Sequence, residues 1–119
     1  PAVKVQELSN TRTGESSEQI RERVNKARGT QTARFKGRKH LYCNAQMSSK
    51  DVQIHCELNQ GCLRMIEMAT TRLGLSARAY DRVLKVSRTI ADLAQSDTIQ
   101  PSHLSEAIQY RSLDRSLWR

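Results

Sequence analysis

Arg78, Arg82 and Lys85 follow one another at spacings of four and three residues, which places them on one side of a helix. Ser76 stands just ahead of them and is an N-cap residue type, so Arg78 falls in the first turn. The helix dipole disfavours a cation there by a few tenths of a kcal/mol up to about 1. Such an arginine makes sense where an anion is to be seated at the helix start, and the same spacing also fits a solvated basic face. A second set of chemically capable residues is His40, Cys43, His55, Cys56 and Cys62, the ligand types of a zinc tetrad. His55 and Cys56 are adjacent, which wastes one of them. Cys62 lies on the apolar side of a helix, where a free thiol acts as a small hydrophobe. Zinc is therefore not expected. No Gly-rich phosphate loop and no Gly-x-Gly-x-x-Gly is present, and neither His103 nor the pair Glu57 and Glu67 has a recognisable catalytic partner. The chain is not expected to be an enzyme by itself.

Twenty Lys and Arg residues against twelve Asp and Glu give the 119-residue chain a net charge of +8, which points to an anionic partner. Most of that excess is local. Arg21, Arg23, Lys26, Arg28, Arg34, Lys36, Arg38 and Lys39 fall within nineteen residues that contain one acid, Glu22. They read either as a nucleic-acid contact of salt-sensitive affinity or as a solvated face running into a charged loop. Only Phe35 and Tyr42 lie nearby to stack on bases. Three cysteines in no regular framework fit a reducing cytoplasm rather than a disulfide-stapled secreted domain. No apolar run approaches the roughly 20 residues of a membrane span. The opening at Pro1, without a signal-like segment, reads as the start of a piece of a longer protein.

The elements that position these residues are helical. Apolar residues number 14 of 50 up to Lys50 and 30 of 69 from Asp51, so the core is expected mainly in the second part. Ser16 and Gln19 form a capping box for a first helix over 17–33, with Ile20, Val24 and Ala27 inward and Gly29 interrupting it. The stretch from Arg34 to Ser49 has no period and is expected to be a mobile loop. Leu58, Cys62, Met65, Ile66, Ala69 and Leu73 share a helix face that stops at Gly74. Ser76 caps the next helix, whose inward stripe is Tyr80, Val83, Leu84, Ser87, Ile90, Ala91 and Ala94. Pro101 opens the last helix, with Leu104, Ala107 and Ile108 inward. The expected fold is all-α, a small bundle of about four helices with a mobile basic N-terminal region. Residues 1–15 read as a linker, 16–50 as the basic helix and flexible loop, and 51–119 as the helical core, with 16–119 one domain.

Three segments carry a resemblance. The run from Leu73 to Leu93 (LGLSARAYDRVLKVSRTIADL), the stretch from Gly14 to Arg28 (GESSEQIRERVNKAR) with the Asn44-Ala45 pair, and the run from Ile99 to Arg115 (IQPSHLSEAIQYRSLDR) stand in family order over nearly the whole chain. Together they resemble the C-terminal part of the magnesium-chelatase-like AAA+ ATPases, and within them the competence-protein branch. One departure is Ser87, where that branch usually has Ala. The resemblance implies the small helical lid of the ATPase module, closing over ATP and Mg²⁺ held against an upstream large domain of the same protein. It implies a homo-oligomeric ring, typically a hexamer, and no activity of the lid alone. Arg78 falls at the sensor-2 position, where it would contact the terminal phosphate and act in hydrolysis, and Ser76 and Arg82 would join it in binding ATP. The competence branch implies a motor acting on DNA, by branch migration in natural transformation. Two alternatives remain: an ATPase subunit of a chelatase that inserts magnesium into a porphyrin, and a stand-alone basic module that binds nucleic acid. The role of Trp118 is open.

Overall fold

The computed structural model describes the backbone of residues 16–117 and the side chains of residues 16–111. The expected linker at 1–15 and Trp118 lie outside the described residues. Within them the chain is all-helical: α1 (Ser17–Arg34), a 3-10 turn (Asn44–Gln46), α2 (Ser49–His55), α3 (Gln60–Leu73), α4 (Ala77–Leu93) and α5 (Pro101–Leu117).

Local signals start and stop these helices. The Ser16 hydroxyl accepts from Gln19 N at 3.1 Å while Ser16 N donates to Gln19 Oε1 at 3.0 Å, which satisfies two otherwise unpaired donors of α1. Gly29 does not end α1, although a mid-helix glycine costs about 1 kcal/mol. The helix is held by its far end, where Ala27, Gln31 and Phe35 are buried, whereas Ile20 is 44% exposed and falls outside the stripe expected of it. Asn59 Oδ1 caps α3 by accepting from Cys62 N at 2.8 Å. Gly74 ends that helix at φ 64°, a left-handed conformation that suits glycine. After Leu75 the chain turns directly into α4, where Ser76 Oγ accepts from Ala79 N at 3.1 Å. His103 finds a structural task at the start of α5: its Nδ1 accepts from Gln100 N at 3.0 Å.

α4 is the central element and packs against α1, the 3-10 turn, α2 and α5, while α3 packs on α5. Cys62, Ile66, Val83, Leu84, Ala91, Ile99, Leu104 and Ala107 form the middle of the core, and Leu58, Met65, Tyr80, Ile90 and Ile108 pack against it.

The structure differs from expectation between Arg34 and His55. Phe35, Leu41 and Met47 are 2%, 6% and 3% exposed and belong to the core, so the 35–48 segment is packed rather than a free loop. Burying these apolar side chains favours a fixed path, and positive φ at Gly37 and His40 lets the chain turn between them. The segment leads into α2, a helix absent from the expected set. Ser48 and Asp51 form its capping box, with Asp51 N donating to Ser48 Oγ at 3.2 Å and Ser48 N donating to Asp51 Oδ2 at 3.1 Å.

Candidate functional site

Arg78, Arg82 and Lys85 line one open cleft of about 1430 Å³. Its facing wall is the 3-10 turn and the start of α2, through Ala45, Met47, Ser48 and Ser49, and Val86, Thr89 and Ile90 continue the α4 side. Arg111 of α5 adds a fourth basic residue. Arg78 and Arg82 are exposed and make no ion pair among the described residues. Lys85 reaches across the cleft, where its Nζ donates to the carbonyl of Ala45 at 3.4 Å. The acid of the cleft is Asp81, whose Oδ2 accepts from Ser49 Oγ at 2.5 Å. The arrangement is therefore a basic row along α4, beginning at a helix N-terminus, over an apolar strip of Met47, Val86 and Ile90. It presents charge-assisted donors to an anion. Ser76 stands apart from this lining. Its hydroxyl is taken up by the α4 cap, and its part is to fix where the helix begins.

The basic stretch does not form one surface. Arg34 leaves the nucleic-acid set, because its guanidinium makes a bidentate pair with Asp92, Nη1 to Oδ2 at 2.8 Å and Nη2 to Oδ1 at 2.7 Å. Arg38 is engaged too, donating through Nη1 to Asp51 Oδ1 at 3.0 Å while its side chain stays 53% exposed. Arg21, Arg23, Lys26 and Arg28 are exposed on α1, and Lys36 and Lys39 are exposed in the following segment. Arg21 and Arg28, seven residues apart, share one side of α1, and Lys26 lies on another.

Asp92 is the centre of a buried network that the sequence reading missed. It is 1% exposed and also accepts from Asn44 Nδ2 at 2.9 Å and from Arg88 Nε at 3.2 Å. Arg88 in turn holds the chain after α4, donating through Nη1 to the Asp97 carbonyl at 3.1 Å and through Nη2 to the Ser96 carbonyl at 2.7 Å. Burial pushes the Asp92 carboxyl up, but the hydrogen bonds from Arg34 and Asn44 and the charges of Arg34 and Arg88 outweigh it. The net shift is below the ordinary carboxylate value. The hydrogen bond to Asp92 likewise raises the Arg34 guanidinium. Arg34 and Asn44 lie 58 and 48 residues from Asp92 in the chain, so no local pattern announces them, whereas Arg88 is the i,i+4 neighbour on the same helix.

The Cys56 thiol stays protonated near neutral pH. Burial pushes Cys56 up to about 11 and raises Cys62, whose Sγ lies 3.7 Å from the Ile99 carbonyl. His55 stacks edge-on against Phe35 with ring centroids 5.4 Å apart. Burial first, and then the charges of Arg34, Arg38 and Arg88, lower its pKa despite Asp51. Among the described residues no group of three or more His, Cys, Asp or Glu could hold a metal ion. No described helix is long and apolar enough to cross a membrane.

Residues 14–111 match the family described as magnesium chelatase, subunit ChlI C-terminal. The chain belongs to this magnesium chelatase C-terminal family. It is 46% identical over 104 residues to competence protein ComM of Haemophilus influenzae, and 44% identical over 104 residues to the uncharacterized protein YifB of Escherichia coli. Each alignment covers 87% of this chain, which spans only 19% and 20% of those relatives. YifB of Salmonella typhimurium is similar at 41% identity. The matched region of the magnesium chelatase family contains both the basic cleft and the Asp92 network.

Proposed function

We propose that this domain is the lid of a ring-forming AAA+ ATPase and that the α4 cleft receives the phosphate end of ATP. The observation that carries the proposal is the convergence of Arg78, Arg82 and Lys85 on one open cleft at the start of α4. Arg78 acts there as a sensor-2-type residue: it contacts the terminal phosphate and links hydrolysis to lid movement. Arg82 and Lys85 supply further positive charge along the same row. The cleft's residues fit a phosphate better than a metal, since its one carboxylate, Asp81, already accepts from Ser49. Mg²⁺ would enter with the nucleotide and be held by the upstream large domain.

The similarity to competence protein ComM favours a motor acting on DNA in natural transformation. Branch migration as its task and a hexameric ring as its assembly are what the resemblance of the three sequence segments implies. In the full-length protein, Arg78→Ala is expected to lower kcat for ATP hydrolysis by about a hundredfold while the fold stands. Branched DNA is expected to stimulate the wild type and not the variant. Hydrolysis at the wild-type rate in Arg78→Ala would sink the sensor-2 role. The family description keeps a porphyrin chelatase subunit as the second reading, and magnesium insertion into a porphyrin, assayed directly, separates it from the motor. Exposure of Arg21, Lys26, Arg28, Lys36 and Lys39 supports a direct DNA contact as an accessory role. Binding of this chain to duplex DNA with a steep salt slope would bear that out, and no binding at low salt would remove it.

A further inference from the structure

We infer that Asn44 is a positioning residue for the cleft: it fixes the Ala45 carbonyl that holds the Lys85 ammonium in the basic row, an inference that rests on the cleft being the ATP site. Asn44 is 1% exposed. Its Nδ2 donates to Thr89 Oγ1 at 3.1 Å and to Asp92 Oδ2 at 2.9 Å, and its Oδ1 accepts from Arg34 Nη1 at 2.9 Å. Its backbone N donates to Gln31 Oε1 at 3.0 Å. Both amide hydrogens and the amide oxygen are therefore engaged, by partners on α1 and α4. A displacement of the turn would leave several buried polar groups unpaired, so the network defines one position for it.

That position matters to the cleft because Ala45 is the next residue. Its carbonyl accepts from Lys85 Nζ at 3.4 Å. Thr89, the acceptor for Asn44, also donates through Oγ1 to the Lys85 carbonyl at 3.0 Å. The Lys85 backbone is held by α4 itself, and its ammonium is held by the carbonyl of the residue that follows Asn44, while Thr89 ties Asn44 to the same stretch of α4. A lysine ends in a compact charge on a flexible stem, so a fixed anchor reduces the freedom it would lose on meeting an anion. Asn44 touches no ligand in this scheme. It acts through Lys85.

The test is a double-mutant cycle on ATP hydrolysis by the full-length protein, with KM, kcat and the urea midpoint read for each variant. Asn44→Ala and Lys85→Met are each expected to raise KM for ATP by about tenfold with kcat within about threefold, and the double variant to match Lys85→Met alone. Thr89→Val should raise KM in the same direction, and Thr89→Ser should restore it. Thr89→Val carries the test if Asn44→Ala does not fold. A lowered urea midpoint with unchanged KM in Asn44→Ala, or additive effects of the two substitutions, would overturn the positioning role. A rise in KM for Lys85→Met with Asn44→Ala and Thr89→Val silent overturns the inference and leaves the ATP reading standing. Silence of Arg78→Ala and Lys85→Met alike overturns that reading, and the inference with it.

Discussion

Asp92 sits between Arg34 and Arg88, and its single negative charge answers two guanidinium groups withdrawn from water. Asp92→Asn would leave both arginines buried without that counter-charge, at a cost of about 3–5 kcal/mol. Urea denaturation of the variant measures this, and a loss under about 1 kcal/mol would contradict the account. Asp51 gives a pH-dependent counterpart. The hydrogen bond from Arg38 first, and then the Ser48 backbone N–H, hold its carboxyl at about 2 against the opposing effect of burial. A depressed carboxyl stabilises the fold above the ordinary range near 3.9, and the contribution is lost as pH falls through the folded value. The relevant window is therefore from about 4 down to about 2. Arg38→Met should move the Asp51 titration, followed by carboxyl NMR, back toward about 4. An unmoved titration would contradict the pairing. Arg78 could be singled out from sequence because a cation at a capped helix start is a local pattern. Arg34 could not be assigned, because what removes it from the basic surface is a partner 58 residues away.

Among the elements, α3 and α4 are legible because each combines an apolar stripe with a cap residue of the right type, and α5 because Pro101 marks its first turn. Gly74 carries the sharpest consequence. It adopts φ 64° between two helices joined by a short link, with open space where a Cβ would lie. Gly74→Ala should therefore cost about 1–2 kcal/mol from backbone strain alone, as read by thermal or urea unfolding. A neutral substitution would contradict the conformation given to this link. The α2 helix is not legible in the sequence because seven residues hold too little periodicity to stand out, although Ser48 and Asp51 carry a capping signal. The segment before it looked like a loop because its buried residues, Phe35, Leu41 and Met47, follow no helical spacing. Ser87, the departure from the family pattern, is fully buried, and its hydroxyl donates to the Val83 carbonyl at 2.8 Å. The helix itself satisfies the added polar group.

At the scale of the whole molecule, a charge of +8 separates into structural and exposed parts. Arg34 and Arg88 stabilise the interior, Arg38 ties the 35–48 segment to α2, and Arg78, Arg82 and Lys85 gather at one cleft. Bulk composition pointed to an anionic partner without distinguishing these roles. The division depends on packing, which decides which cations keep access to solvent. The most direct test is equilibrium binding of ATP and ADP to the full-length protein, wild type against Arg78→Ala. A charge-assisted contact to the terminal phosphate predicts that the variant loses about 10- to 100-fold in ATP affinity and stays within about twofold for ADP. Equal losses for both nucleotides, or none for either, would contradict the placing of the terminal phosphate at Arg78.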